Sequence, residues 1–310
     1  FAISWRNPGK EHGDWGLDTY AEAFIRAIDV ARDVTGSDDV NALGMCAGGI
    51  TMSTALSHLA ATGDTRVHSA SFGVTLLDFS IPAMVGLFQS RPLLSLARRR
   101  SRRAGVLSGD SLASVFTWMR PNDLVWNYWV NNYLMGKKPP AFDILAWNAD
   151  KTNLPGRLHE QFLDIFGDNL LAKPGGLTVL GTPVDVSSIK YPTYFTGGLT
   201  DHLTPWQGCY RATQLVSGET TFVLSPTGHI QTQVSPPGNP KAHYFVAPDP
   251  GPDPEEWRSR AERRPGTWWE HWADWIIERG GGQRPAPSRL GNRRHPVLDP
   301  APGRYVLDSA

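Results

Sequence analysis

The chain has 310 residues, 40% hydrophobic and 19% charged, which is enough for a substantial globular core in one large or two smaller domains. Its 30 basic and 30 acidic residues cancel, so no whole-molecule charge points to nucleic acid. Two cysteines, Cys46 and Cys209, are too few for a disulfide framework; no apolar run reaches the ~20 residues of a bilayer span and no signal peptide is visible, so the cytoplasm is the expected location.

Phe1-Ala2-Ile3-Ser4-Trp5 reads as an apolar strand, and its abrupt start without Met suggests a core truncated at its N-terminus. Thr19-Tyr20-Ala21-Glu22 has the spacing of a capping box and opens a helix with Ala21, Phe24, Ile25 and Ile28 on one face, stopped near Gly36. Val40 to Gly44 reads as a short strand. A second helix follows from Ala47, with Met52, Ala55, Leu56, Leu59 and Ala60 on one face, ending at Gly63-Asp64. Ser69 to Leu77 reads as a buried strand. This alternation predicts a mostly parallel sheet with helices on both faces. The pattern breaks over 78–189, a stretch rich in Trp, Asn, Pro and Arg that reads as a mainly helical cap inserted into the core. It resumes with a strand at Thr193–Thr196, a helix from Trp206 to Leu215, a strand at Thr220–Leu224 and a closing helix from Trp268 to Glu278. The expected organisation is therefore 1–77 and 190–279 as two halves of one core, 78–189 as the cap, and 280–310 as an extended Gly/Pro/Arg-rich tail.

The sharpest local feature is Gly44-Met45-Cys46-Ala47-Gly48-Gly49. It has the G-x-S-x-G spacing of a nucleophile elbow with Cys in place of Ser, between an apolar strand and a helix as that motif requires. The turn is so sharp that side chains two before and two after the nucleophile are expected to collide. The helix N-terminus beneath Cys46 favours an anion, and the N–H of Ala47 is expected to face an oxyanion. In the α/β-hydrolase fold the partners follow in the order nucleophile, acid, histidine. Asp201 lies just past the strand ending at Thr196, and His229 just past the strand ending at Leu224, which is expected to be the last. Among nine histidines, His202 is the rival base, but it adjoins the acid and is read as a pocket residue; His58 and His68 are read as structural. Asp185 precedes the strand that should carry the acid, and Cys209 falls in a motif-free helix and is read as core packing. Arg98 to Arg103 could attract phosphates but reads better as a solvated face. The aromatics from Trp118 to Trp129, with Tyr133, could line an acyl tunnel but read better as the cap's own core. No P-loop, dinucleotide fingerprint or zinc spacing occurs, so neither a metal nor a cofactor is expected.

At these residues the chain resembles the polyhydroxyalkanoate synthases. The elbow is similar to that family's lipase-like box. The likeness continues through Arg120-Pro121-Asn122-Asp123-Leu124-Val125-Trp126-Asn127-Tyr128, Trp147-Asn148, Asn153-Leu154-Pro155, Asp201-His202 with Pro205-Trp206, Gly228-His229-Ile230 and Asn239-Pro240, up to Pro302-Gly303-Arg304-Tyr305-Val306. The resemblance implies an acyltransferase that polymerises (R)-3-hydroxyacyl groups from coenzyme A thioesters into a polyester, working at granules in the cytoplasm without metal or redox cofactor. It implies Cys46 as nucleophile, His229 as base, and Asp201 either orienting His229 or activating the 3-hydroxyl. The wording of Trp126 to Tyr133 and Pro237 to Lys241 leans toward the medium-chain subgroup. An upstream domain and a second oxyanion donor are expected in the family. Two alternatives stand beside this reading: a thioesterase, esterase or depolymerase with the same triad, and a non-catalytic granule-associated protein. Homodimerisation is left open.

Overall fold

The computed structural model describes residues 1–81, 91–119, 121–139, 141 and 149–307. Arg120 and Trp147-Asn148, quoted above for the resemblance, lie outside them. The chain divides into two compact units, the first made of Phe1, Leu17–Ser90 and Asp164–Leu298, the second of Ala2–Gly16, Arg91–Leu163 and Asp299–Ala310. Of the described part of the stretch read as a cap, 78–81 and 164–189 fall in the first unit.

The strands are β1 (Val40–Met45), β2 (Val67–Gly73), β3 (Val106–Leu107), β4 (Leu154–Pro155), β5 (Thr178–Val179), β6 (Thr182–Pro183), β7 (Thr193–Gly198), β8 (Thr220–Ser225), β9 (His243–Val246) and β10 (Glu262–Pro265). The first unit holds a six-stranded sheet in the order β1-β2-β7-β8-β9-β10, while β3–β4 and β5–β6 are separate two-stranded pairs. Pairing is parallel from β1 through β8 and antiparallel from β8 to β10. The expected parallel core is present. The strand before His229 is the last parallel one but not the last strand, because two short antiparallel strands extend the edge beyond it.

The alternation of side chains along β7 and β8 builds a core on each sheet face. Tyr194 and Val223 pack against Trp268 and Trp275 of the closing helix Trp268–Glu278. Their neighbours Phe195 and Phe222 face the other way: Phe195 stacks on Phe72 at 4.9 Å, and Phe222 meets Trp257 edge-on at 4.9 Å and Tyr210 at 5.0 Å. Edge-to-face rings satisfy the aromatic quadrupoles while burying large apolar area.

Several local expectations are corrected. Phe1–Trp5 forms no strand: an apolar run needs a ladder partner, none is made among the described residues, and Phe1, Ile3 and Trp5 are exposed. Helix α1 (Leu17–Thr35) starts before Thr19, so that residue is not its cap. Helix α2 (Ala47–Ala61) is buried almost all round rather than on one face. It is Ser- and Thr-rich because Thr51, Ser53 and Thr54 satisfy their hydroxyls on the carbonyls of Ala47, Ile50 and Thr51. Strand β2 stops at Gly73 because Val74 turns the chain at φ 43°. The helix from Trp206 ends at Arg211 and tightens into a 3-10 turn over Ala212–Gln214.

In the second unit, helices α3 (Arg91–Ala104) and α4 (Gly109–Met119) precede two π-helical segments, Asn122–Trp126 and Trp129–Leu134. The aromatics read as cap core are exposed instead: Trp118 by 64%, Trp126 by 51%, Trp129 by 50% and Tyr133 by 71%. Trp129 and Tyr133 sit on a short segment with no buried residue of its own and, four apart, stack on each other at 4.5 Å. In the basic run, Arg99, Arg100 and Arg103 are exposed, and Arg102 pairs with Glu160. No described helix is long and apolar enough to cross a membrane. Residues after Gly280 run mostly without regular structure, and the Arg284 and Asn292 side chains donate to the carbonyls of Thr35 and Asp33 at the end of α1.

Candidate active site

Cys46 sits between β1 and α2 at φ 49° and ψ −121°, a left-handed conformation that a non-glycine residue adopts only when its surroundings enforce it. The enforcement is visible. The Cys46 N–H donates to the Gly73 carbonyl at 2.8 Å, and the Cys46 carbonyl accepts from Gly49 N–H at 3.0 Å and from the Thr75 hydroxyl at 3.2 Å. Thr75 also donates to Gly73 at 2.9 Å, so one hydroxyl ties the end of β2 to the elbow. It is presented there by Val74, itself at φ 43° with its N–H on the Thr196 carbonyl at 2.8 Å.

The glycines of the elbow do not all have the role the spacing suggests. A Cβ on Gly44 would lie 2.8 Å from Gly49 Cα, and one on Gly49 would lie 2.2 Å from Thr75 Oγ1, whereas a Cβ on Gly48 meets nothing within 4 Å. The collision two residues after the nucleophile is therefore absent. The tight position is the third, because α2 turns Gly48 to solvent and Gly49 toward Thr75. Ala47 is exposed and opens α2, so its N–H is among the first-turn donors that have no acceptor within the helix.

Asp201 lies in the loop after β7, its side chain wholly buried. Its Oδ1 accepts from the N–H groups of Leu203 (2.8 Å) and Thr204 (3.0 Å). Its Oδ2 accepts from the Thr204 hydroxyl (2.7 Å) and from His229 Nδ1 (2.6 Å). His229 opens the short helix His229–Val234 after β8. That helix is fixed from outside by the indoles of Trp268 and Trp269, which donate to the carbonyls of Thr232 (2.6 Å) and Gln233 (3.0 Å). With Nδ1 turned to Asp201, the ring's other nitrogen is left for Cys46, whose side chain acts on His229 together with Asp201. Cys46, His229 and Asp201 are thus gathered at the C-terminal ends of β1, β8 and β7, where open α/β sheets place their sites, with His229 hydrogen-bonded to Asp201.

Burial alone would pull His229 down, but its hydrogen bonds to Asp201 and Cys46, and their charges, outweigh it and push its pKa up to about 10. Burial would raise Asp201, yet hydrogen bonds from His229 and Thr204 and the imidazolium charge hold it below the usual carboxylate value. The chemistry this suits is nucleophilic attack by sulfur, with imidazole moving the proton.

The model of the alpha/beta hydrolase fold matches residues 1–232. The chain belongs to that family. This hydrolase-fold chain is 47% identical over 306 residues to Poly(3-hydroxyalkanoate) polymerase 1 of Ectopseudomonas oleovorans, a match covering 99% of the chain and 55% of the relative. It is 47% identical over 308 residues to polymerase 2 of the same organism, again over 99% and 55%. To the Poly(3-hydroxyalkanoate) polymerase subunit PhaC of Cupriavidus necator it is 42% identical over 318 residues, covering 100% of the chain and 54% of the relative. The likeness read from the motifs is borne out, and the chain spans about half the length of the curated relatives it matches.

The remaining sequence candidates of the hydrolase-fold chain fall as follows. His202 is half-buried beside the acid, but it is His229 that bonds Asp201. Asp185 caps the 3-10 turn Val186–Ser188 through Ser187. His58 bonds Thr182 at 2.8 Å, and His68 pairs with Asp39 at the surface. Cys209 is buried, its thiol on the Thr204 carbonyl at 3.6 Å, and burial pushes it well above the ordinary thiol value. Among the described residues no cluster of three or more His, Cys, Asp or Glu could hold a metal ion. Sequence reasoning missed Thr75 and Thr204. Thr204 left one signal, the Asp-x-x-Thr spacing of a carboxylate capping its own turn; Thr75, distant in sequence from Cys46, left none.

Proposed function

We propose that this chain is the catalytic part of an acyltransferase that polymerises (R)-3-hydroxyacyl-coenzyme A thioesters into a polyhydroxyalkanoate polyester. The observation that carries the reading is the buried Asp201–His229 pair aligned on a cysteine, rather than a serine, at the elbow. Cys46 gives its proton to His229 and its sulfur attacks the thioester carbonyl, with the Ala47 N–H meeting the oxyanion. Collapse breaks the carbon–sulfur bond to coenzyme A, which leaves as the free thiol with the proton from His229. The enzyme now carries a thioester nearly equal in energy to the one broken. His229 then takes the proton of a 3-hydroxyl, whose oxygen attacks the Cys46 acyl group; the new ester forms, and the proton returns to the Cys46 sulfur. Both Asp201 oxygens already accept hydrogen bonds, which supports an orienting role over direct activation of the hydroxyl. His202 would line the pocket. In this reading the protein works in the cytoplasm at the surface of its own polyester granule, as a monomer or homodimer, with no metal or redox cofactor in the reaction.

The test is incubation with 3-hydroxybutyryl-coenzyme A and with a medium-chain analogue. Insoluble polyester with release of coenzyme A supports the synthase. Free hydroxy acid alone means that water is the acceptor and the chain is a thioesterase or depolymerase. Coenzyme A release that survives Cys46→Ala removes the nucleophile from the scheme.

A further inference from the structure

The Asp201 carboxylate is shared. One of its oxygens carries two bonds, from the Thr204 hydroxyl at 2.7 Å and from His229 Nδ1 at 2.6 Å, and the hydroxyl oxygen is itself 3.2 Å from Nδ1. Thr204 is buried and held at several points: its N–H donates to the same carboxylate at 3.0 Å, its carbonyl accepts from the Cys209 thiol at 3.6 Å, and its branched Cβ restricts χ1. The hydroxyl has one proton, and it is committed to Oδ2. Its lone pairs therefore face the imidazole N–H, which lies between two acceptors.

We infer that Thr204 is a positioning residue of the catalytic site, its hydroxyl competing with His229 for one oxygen of Asp201 and so setting how tightly the carboxylate holds the imidazole. The inference rests on the triad reading above. A carboxylate that receives a second strong donor spreads less negative charge onto the first. With the hydroxyl present, His229 is oriented yet can still release its proton to the departing coenzyme A thiolate and to the Cys46 sulfur. Without it, Oδ2 is a better acceptor, the imidazolium is held more firmly, and proton return slows. Among the described residues, the charged groups that act on His229 are Asp201 and Cys46; the buried Cys209 thiol, bonded to the Thr204 carbonyl at 3.6 Å, interacts with the Asp201 charge. A turn-capping role alone would fix the loop without altering the imidazole.

The experiment is a ring-nitrogen NMR titration of His229, assigned by the signal lost in His229→Gln, with coenzyme A release measured on the same samples. Thr204→Val keeps the shape and removes the hydroxyl; it is expected to raise the His229 titration by roughly half a pH unit. It should also lower kcat about tenfold with KM little changed, as for loss of one hydrogen bond to a charged group. Thr204→Ser should restore both values. If Thr204→Val does not fold, Thr204→Ala carries the same comparison. A His229 titration unchanged or lowered by loss of the hydroxyl, or not restored by serine, overturns the inference. Asp201→Asn separates this from failure of the triad: it must lower the His229 titration, and if it does not, both readings fall. A His229 titration that responds to both Thr204 and Asp201 in a chain that makes no polyester would retain the role of Thr204 and reject the synthase.

Discussion

Replacing Gly49 with alanine should break the elbow, while the same change at its neighbour Gly48 should not. A Cβ on Gly49 would lie 2.2 Å from Thr75 Oγ1, 2.6 Å from its Cγ2 and 2.9 Å from its Cβ. All three belong to one buried side chain that cannot swing away without leaving the Cys46 and Gly73 carbonyls it bonds at 3.2 Å and 2.9 Å. Overpacking of this kind costs about 1–3 kcal/mol, and each lost hydrogen bond about 0.5–1.5 kcal/mol more. Against this, Gly→Ala inside a helix returns about 0.5–1 kcal/mol. The net expectation for Gly49→Ala is a loss of roughly 1–5 kcal/mol, and for Gly48→Ala, with nothing within 4 Å of the new methyl, no loss or a gain of up to about 1 kcal/mol. Urea unfolding reads the difference as opposite shifts of midpoint at constant slope. Because Thr75 also holds the nucleophile's carbonyl, coenzyme A release by folded Gly49→Ala should fall at least tenfold, as small misplacements of a reacting atom do. Equal midpoints for the two variants, or normal turnover by Gly49→Ala, would refute the role given to Thr75.

Cys46→Ser should retain the fold and lose nearly all polymer formation, since an alkoxide is harder to form and an oxygen ester is a poorer acyl donor than a thioester; near-normal polymer yield would reject the covalent thioester. His229, raised from 6.5 to about 10, stabilises the fold fully below pH 6.5 and loses that contribution as pH climbs through about 10. The gap in urea midpoint between wild type and His229→Gln should therefore narrow across that window, and a constant gap would contradict the pairing. Asp201, held below its usual value, acts in the opposite sense, stabilising above pH 3.8 and losing that contribution as pH falls through its folded-state pKa, so Asp201→Asn should flatten the acid limb. Trp257, wholly buried against Phe222, Tyr210 and Trp206, should cost about 3–5 kcal/mol on replacement by alanine. Trp257→Phe should cost much less, because the indole N–H has no hydrogen-bond partner to lose, and equal midpoints for the two would place the residue outside the core.

What the chain order revealed, and what it hid, follows from the range of the interactions. The sheet was legible because buried parallel strands are short apolar runs between helices, and that pattern is local: β1, β7 and β8 lie where their apolar runs placed them, and β2 overlaps its run but ends four residues early. Cys46, Asp201 and His229 were legible for a related reason. Each follows one of those strands, so chain order stands in for spatial order. β9 and β10 were not legible. Glu262–Pro265 is charged, and the run Tyr244-Phe245-Val246 is short, with only the brief helix His229–Val234 between it and β8; the two strands pair because β8 offers an edge, and only Phe245 among them is buried. The exposed aromatics misled for the converse reason, as Trp and Tyr at helical spacing read as a core wherever they fall.

The residues that make the site work rather than merely mark it were the hardest to see. Thr75 reaches Cys46 from 29 positions away, and the indoles of Trp268 and Trp269 reach the His229 helix from 36 positions away. In each case the sequence shows an ordinary strand-end threonine or a core tryptophan, and only the closed fold turns a hydroxyl or an N–H toward the machinery. Thr204 lies between the two kinds. Its grip on Asp201 is local and could be read as a turn, but its consequence runs through the carboxylate to a histidine 25 residues on. A carboxylate buried this fully, with its oxygens shared among four donors, leaves none of them neutral to substitution. The loop after β7 is therefore part of the acid as much as its support, and changes there should register in the titration of His229 before they register in stability.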